Sequence, residues 1–191
     1  MLRSLSRVLR EHGYECVTFE RARDFLEYER APGPSCLVLD LAMPEQDGFD
    51  VQARLSERGD RIPIVFLTGH GDIPASVRAM KAGADNFLSK PVGAVDLVAA
   101  VEAALERSRQ QHAEDSEVVE LRARLDQLTP RQREVFQYVI AGKMNKNIAA
   151  ELGTGEQNVK VHRRRLMRKM GVKSLAELVR TAERLGIEPV A

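Results

Sequence analysis

Apolar residues recur at helical spacing from the start of the chain. Leu2, Leu5, Val8 and Leu9 share one face, and Gly13 ends the run. The period then shortens. Glu15 to Phe19 reads as a strand, Ala22 to Glu29 as a helix, and Ala31 to Ser35 as a Pro/Gly turn. The run from Cys36 to Leu39 ends on Asp40 and predicts a strand buried on both faces, the habit of parallel strands. A loop with Met43, Pro44, Asp47 and Gly48 leads into a helix that ends near Arg58. Ile62 to Leu67 predicts a second buried strand, Pro74 to Ala82 a helix opened by its proline, and Ala84 to Leu88 a third short strand. Strands alternating with helices at this period predict a doubly wound parallel sheet with helices on both sides.

Beyond Lys90 and Pro91 the pattern is helical throughout. Val95, Val98 and Val101 mark a packed face, and the charged stretch from Glu106 to Glu117 contains no breaker. Val118, Leu121, Leu125 and Leu128 then form a short heptad seam, which fits either a linker helix leaning on its own domain or one that pairs between subunits. Thr129 and Pro130 place an N-cap and a first-turn proline on a helix through Ala141, ended by Gly142. Further helices are predicted from Asn145 to Glu151, from Glu156 to Met170 (closed by Gly171), and from a Ser174 cap to Leu185. Four short helices with a tight Gly-containing turn between the second and third form a helix-turn-helix arrangement.

Composition divides the chain in the same place. The net charge of +1 over 191 residues is an average. Residues 1–106 carry a net −5, with 12 basic and 17 acidic side chains, whereas residues 128–191 carry +7, with 13 and 6. The expected domains are residues 1–105, a helical linker at 106–127, and an all-α domain at 128–191, the basic one a candidate for nucleic acid. No apolar stretch approaches the ~20 residues of a membrane span. Nothing at the N-terminus reads as a charged leader with an apolar core, so the expected location is cytoplasmic. Cys16 and Cys36 each sit in an apolar run and read as small buried hydrophobes, and the four scattered His offer no zinc spacing.

In an open parallel sheet, chemistry sits at the carboxyl ends of the strands. Asp40, Thr68 and Lys90 fall there: a carboxylate to accept a phosphoryl group, a hydroxyl to hydrogen-bond it and an ammonium to neutralise it. The stretches LVLDLAMPEQDGFD, IPIVFLTGHGD and AMKAGADNFLSKP resemble, in order, the flavodoxin-like receiver domain of two-component response regulators of the FixJ-like group. The resemblance implies that Asp40 is the phosphoacceptor for a sensor histidine kinase and that Thr68 and Lys90 bind the phosphoryl group. It further implies that Phe87 is the switch aromatic and that the Lys90–Pro91 bond is cis. Family receivers open with a strand ending in two acidic residues that ligate Mg²⁺. That strand is missing here, through a start codon placed too far downstream or a genuine truncation, so the sheet is expected to lack its central strand. Glu15 to Phe19 would then be shifted into the gap or poorly paired. Of the family's Mg²⁺ ligands only Asp40 and the backbone carbonyl of Ala42 are left, an incomplete site.

The predicted helix at Glu156 to Met170 carries Lys160, Arg163, Arg164, Arg165, Arg168 and Lys169 around an apolar stripe of Val159, His162, Leu166 and Met170. Six like charges on one helix repel one another, and a polyanion lying against them would relieve this. LTPRQREVF, AGKMNKNIAAELG, NVKVHRRRLMRKMGVKS and LAELVR resemble the LuxR-type helix-turn-helix domain. By that resemblance Lys160, Val161 and Arg164 face bases, Lys146, Asn147, Arg163 and Arg168 face phosphates, and Thr129 and Glu134 belong to the scaffold. Thr154 or Gly155 is left to cap the reading helix. The expected function is that of a DNA-binding transcriptional response regulator, not an enzyme, acting as a homodimer on a double-stranded operator. One alternative is a phosphorylation-independent DNA-binding protein; another is a small α/β enzyme or phosphoryl sink using Asp40.

Overall fold

The computed structural model describes residues 2–43, 47–69 and 86–190. It divides into two compact units, residues 1–112 and 113–191. In the first unit, α1 (Leu2–Glu11) and α2 (Ala22–Leu26) precede β1 (Leu37–Asp40), α3 (Gly48–Glu57), β2 (Ile64–Thr68) and β3 (Asn86–Ser89). The strands form a parallel sheet in the order β1-β2-β3. A long helix, α4 (Ala94–Asp126), follows. The helix expected from Pro74 to Ala82 lies outside the described residues, as do the first two positions of the strand expected from Ala84.

Side chains alternate across the sheet as the two-residue period demands. Leu39 and Phe66 pack with Phe25 of α2 and with Val51 and Leu55 of α3. Val38, Val65 and Leu88 face the other way, against Leu97, Ala100, Val101 and Ala104 of α4, with Leu9 of α1 on that side as well. Helices on both faces leave β2 buried along its whole length. Ser108, buried on α4, accepts the backbone N–H of Ser35 at 3.0 Å and fixes the turn before β1.

The strand expected from Glu15 to Phe19 is corrected: these residues adopt no regular structure. Strand geometry is held by ladder hydrogen bonds, and among the described residues β1 pairs on its β2 side only. The carbonyl of Cys16 is taken instead by the Arg10 guanidinium at 2.9 Å, and Val17 is 61% exposed. Cys16 and Cys36 are half-buried against one apolar cluster. Burial pushes the Cys16 thiol above its usual range, partly opposed by the Arg10 charge.

The second unit contains the end of α4, then α5 (Pro130–Ile140), α6 (Asn145–Glu151), α7 (Glu156–Met170) and α8 (Leu175–Arg184). A capping box opens α5: the Thr129 hydroxyl accepts from Gln132 N–H, and the Gln132 side chain accepts from Thr129 N–H. Ser174 caps α8, and α7 ends at Gly171 with φ +73°, the left-handed region that favours glycine. Phe136, Ile148, Val159, Leu166, Met170 and Leu178 make one continuous core. Leu121 and Leu128 are buried, and Leu125 packs on that core.

Candidate functional site

The sheet register assembles the first site. Asp40 ends β1 opposite Leu67, and Thr68 ends β2 opposite Ser89, so Asp40, Thr68 and Lys90 meet at the carboxyl edge of the strands. The Lys90 backbone N–H donates to the Thr68 carbonyl at 2.7 Å, and its ammonium donates to Asp40 Oδ2. The other carboxylate oxygen accepts the Ala42 N–H at 3.2 Å. Both members of the Asp40–Lys90 pair are 21% exposed, open to an incoming group yet shielded from much of the solvent screening. Thr68 is buried. Phe87 is half-buried against the cluster of Leu39, Val51 and Phe66, and the Lys90–Pro91 bond is cis. Gly48 lets α3 approach this edge: a Cβ there would stand 2.8 Å from the Asp40 carbonyl oxygen and 3.2 Å from the Phe66 ring.

Chemically this is a carboxylate, a cation and a hydroxyl at one strand edge, a set suited to taking up and holding a phosphoryl group. Receiver domains generally use Mg²⁺. That ion takes near-octahedral oxygen coordination, but the Asp40 carboxylate is already engaged by Lys90 and the Ala42 amide. No group of three His, Cys, Asp or Glu side chains converges among the described residues. Asp40 with the Ala42 carbonyl does not by itself fit the ion.

The second site is the outer face of α7. Val159, Leu166 and Met170 are fully buried on its inner face. His162 is only half-buried, and its buried Nδ1 has no hydrogen-bond partner among the described residues. Lys160, Val161, Arg164 and Arg168 lie exposed on the opposite side, Val161 at 38%. Lys146 and Asn147, on α6, are exposed too, whereas Arg163 is half-buried and donates to Asn145 Oδ1 at 3.2 Å. Gly155 is the N-cap of α7, with no side-chain cap bond; the Thr154 hydroxyl accepts instead from Asn158 at 3.2 Å. Glu134 pairs with Arg131 at 2.8 Å on the scaffold side.

Two participants were not among the candidate residues. Glu156 holds Lys160 at 3.0 Å, a one-turn pair whose spacing was legible in the sequence. Asn145 orients Arg163 across the turn, a contact that no local pattern announces. Lys169 is removed from the outer face altogether, since its ammonium donates to the Gln127 carbonyl at 2.7 Å and to Gln132 Oε1 at 2.9 Å.

Comparison with known proteins covers both units. The response regulator receiver domain family matches residues 1–102, and the luxR family of bacterial regulatory proteins matches residues 126–182. Nodulation protein W of Bradyrhizobium diazoefficiens is 46% identical over 187 residues, 98% of this chain and 82% of that protein. The transcriptional regulatory protein FixJ of Rhizobium meliloti is 37% identical over 187 residues, 98% of this chain and 92% of that protein. The solved structure of the response regulator StyR superposes with a TM-score of 0.80 at 44% identity, covering 96% of this chain and 93% of that one. Full-length FixJ from B. japonicum gives 0.55 at 36% identity, covering 96% and 91%. These are families of response regulators and transcription factors rather than of enzymes, and they imply a histidine kinase and DNA as partners. Among the described residues no helix is long and apolar enough to cross a membrane. Two domain matches in this order, with relatives of such identity along nearly the whole chain, place it in a family: it belongs to the FixJ-like response regulators, which join a receiver domain to a LuxR-type DNA-binding domain.

Proposed function

We propose that this chain is a cytoplasmic transcription regulator whose DNA binding responds to phosphorylation of Asp40. A sensor kinase phosphohistidine donates the phosphoryl group: its N–P bond breaks and an O–P bond forms to Asp40. The new oxygens then take the Lys90 ammonium from the carboxylate and accept from the Thr68 hydroxyl, and Phe87 repacks behind them. The receiver spans residues 1–105, the linker 106–127 and the DNA-binding domain 128–191. A homodimer places one α7 in each of two major-groove half-sites. Lys160, Val161 and Arg164 face bases; Lys146, Asn147, Arg163 and Arg168 face phosphates.

The convergence of Asp40, Thr68 and Lys90 at one strand edge supports this reading most directly. One observation favours a second reading, phosphorylation-independent binding: the Asp40 carboxylate is already paired with Lys90, and no fitting set of metal ligands joins it among the described residues. Gel-shift affinity with and without acetyl phosphate and Mg²⁺, together with intact-protein mass, separates the two. The phosphoswitch predicts the mass gain of one phosphoryl group and tighter binding, both abolished by Asp40→Asn. Equal affinity and unchanged mass in every condition would establish the second reading.

A further inference from the structure

The C-terminal turn of α7 is tied to the end of α4 by two cations that play no part in the outer face. Helix ends leave carbonyls without intrahelical partners. At the end of α7 two of the nearby carbonyls are satisfied in place, Arg168 O by Gly171 N–H at 3.2 Å and Met167 O by Val172 N–H at 3.0 Å. The Met170 carbonyl accepts instead from Arg124 Nη1 at 3.1 Å. A cation here also complements the negative end of the helix dipole. Arg124 is aimed by its neighbour one turn back, since Nη2 donates to Glu120 Oε1 at 2.6 Å.

Two further features fit this docking. The left-handed turn calls for glycine at Gly171, and a Cβ there would displace the Arg124 guanidinium from its place. From the same turn of α7, Lys169 donates to the Gln127 carbonyl and to Gln132, a member of the α5 capping box. The bonds that join the two elements run from ionised donors to neutral oxygens; they are charge-assisted and still weaken off axis, so they restrict orientation as well as distance. Leu121 and Leu128 are buried in the same unit, and Leu125 packs on its core.

We infer that Arg124 is a positioning residue for sequence reading. With Lys169, it sets the angle at which α7 presents Lys160 and Arg164, and that angle is imposed by the last turns of α4. The inference rests on the reading of α7 as the base-contacting helix. It also makes the end of α4 an integral part of the DNA-binding unit, so an angular change in α4 would reach the reading face without any contact between DNA and α4.

The test uses the full chain. A duplex is selected from a randomised pool by the unsubstituted protein. Its affinity and that of a random-sequence duplex are then measured by fluorescence anisotropy, well below the melting temperature of each variant. Arg124→Met keeps the aliphatic stem and removes the donors; it is expected to lower affinity for the selected duplex about tenfold, with random-duplex affinity nearly unchanged. Arg124→Lys, which restores one donor, is expected to recover part of the loss. A merely stabilising Arg124 would lower the melting temperature and leave the affinity ratio intact, and that result would overturn the inference. Should Arg124→Met not fold, Glu120→Gln frees the guanidinium while keeping its charge; a lowered ratio supports the inference and an unchanged ratio refutes it. An unsubstituted protein that enriches no sequence would instead bring down the base-reading assignment of α7, a separate failure.

Discussion

The two sites handle charge in opposite ways. At the strand edge of the receiver, Lys90 answers Asp40 directly, both side chains one-fifth exposed, and the pair carries no net charge as it stands. On α7 the arithmetic is left open: Lys160 is held by Glu156 and Arg163 by Asn145, but Arg164, Arg165 and Arg168 have no partner among the described residues. A phosphoryl group arriving at Asp40 competes for a cation that is already committed. A DNA backbone arriving at α7 meets cations that no protein group has claimed. The first arrangement suits a switch between two partners, and the second suits binding that depends on counterion release and therefore on salt.

The widest separation between the sites should appear in DNA affinity. Arg164→Ala and Lys160→Ala are each expected to cost about 1–3 kcal/mol on a selected duplex and less on random DNA. Arg168→Ala is expected to weaken both duplexes alike and to reduce the slope of log affinity against log salt by about one. Anisotropy titrations across a salt series check all three. Equal losses on random and selected DNA for Lys160→Ala would place that side chain on phosphates instead of bases.

An effect of similar size, on stability instead of affinity, is expected in the receiver. Lys90→Met leaves the Asp40 carboxylate partly buried with the Ala42 amide as its one partner among the described residues. Exposed ion pairs contribute under ~1 kcal/mol and breaking fully buried ones costs ~3–5, so a pair one-fifth exposed should cost about 1–3 kcal/mol of receiver stability. Denaturant unfolding of that unit measures it, while the salt slope for DNA should not move. A shifted slope would mean that Lys90 belongs to the DNA surface and that the contrast between the sites fails.

The same contrast explains what the sequence made legible. The helices of the second unit carry their own punctuation, Thr129 with Pro130, Gly142, Gly171 and Ser174, and their observed bounds fall within a residue or so of the expected ones because caps act locally. The three strands could be located from apolar runs, but pairing is not local. Glu15 to Phe19 has strand composition and forms none, pairing with no strand among the described residues. Likewise Asp40, Thr68 and Lys90 were recognisable as strand-end residues, whereas the bonds from Arg124 to Met170 and from Arg163 to Asn145 join distant positions that no periodicity relates. His162 shows the limit within a helix: spacing placed it on the apolar stripe, and the structure leaves it half-buried there with a ring nitrogen that has no partner among the described residues.

The smallest effect concerns an acid in the basic unit, and it sharpens the comparison with Asp40. Glu177, in the first turn of α8, is held below the usual carboxylate range chiefly by the Lys173 backbone N–H, which its Oε2 accepts at 2.8 Å. The Ser174 hydroxyl and the charges of Arg180 and Lys173 add to this, and partial burial opposes it. A carboxyl group whose folded pKa is depressed binds its proton more readily in the unfolded chain. Its stabilising contribution is therefore complete above the ordinary carboxylate range and is lost as pH falls through the depressed folded value. Glu177→Gln is thus expected to lower the melting temperature of the second unit slightly at neutral pH, with the difference from the unsubstituted protein shrinking in acid. Raising the pH above neutral should leave that difference constant, because the group is already ionised in both states. A difference that grows in acid would show that the backbone amide does not favour the charged form, and that this acid, unlike Asp40, has no partner that matters.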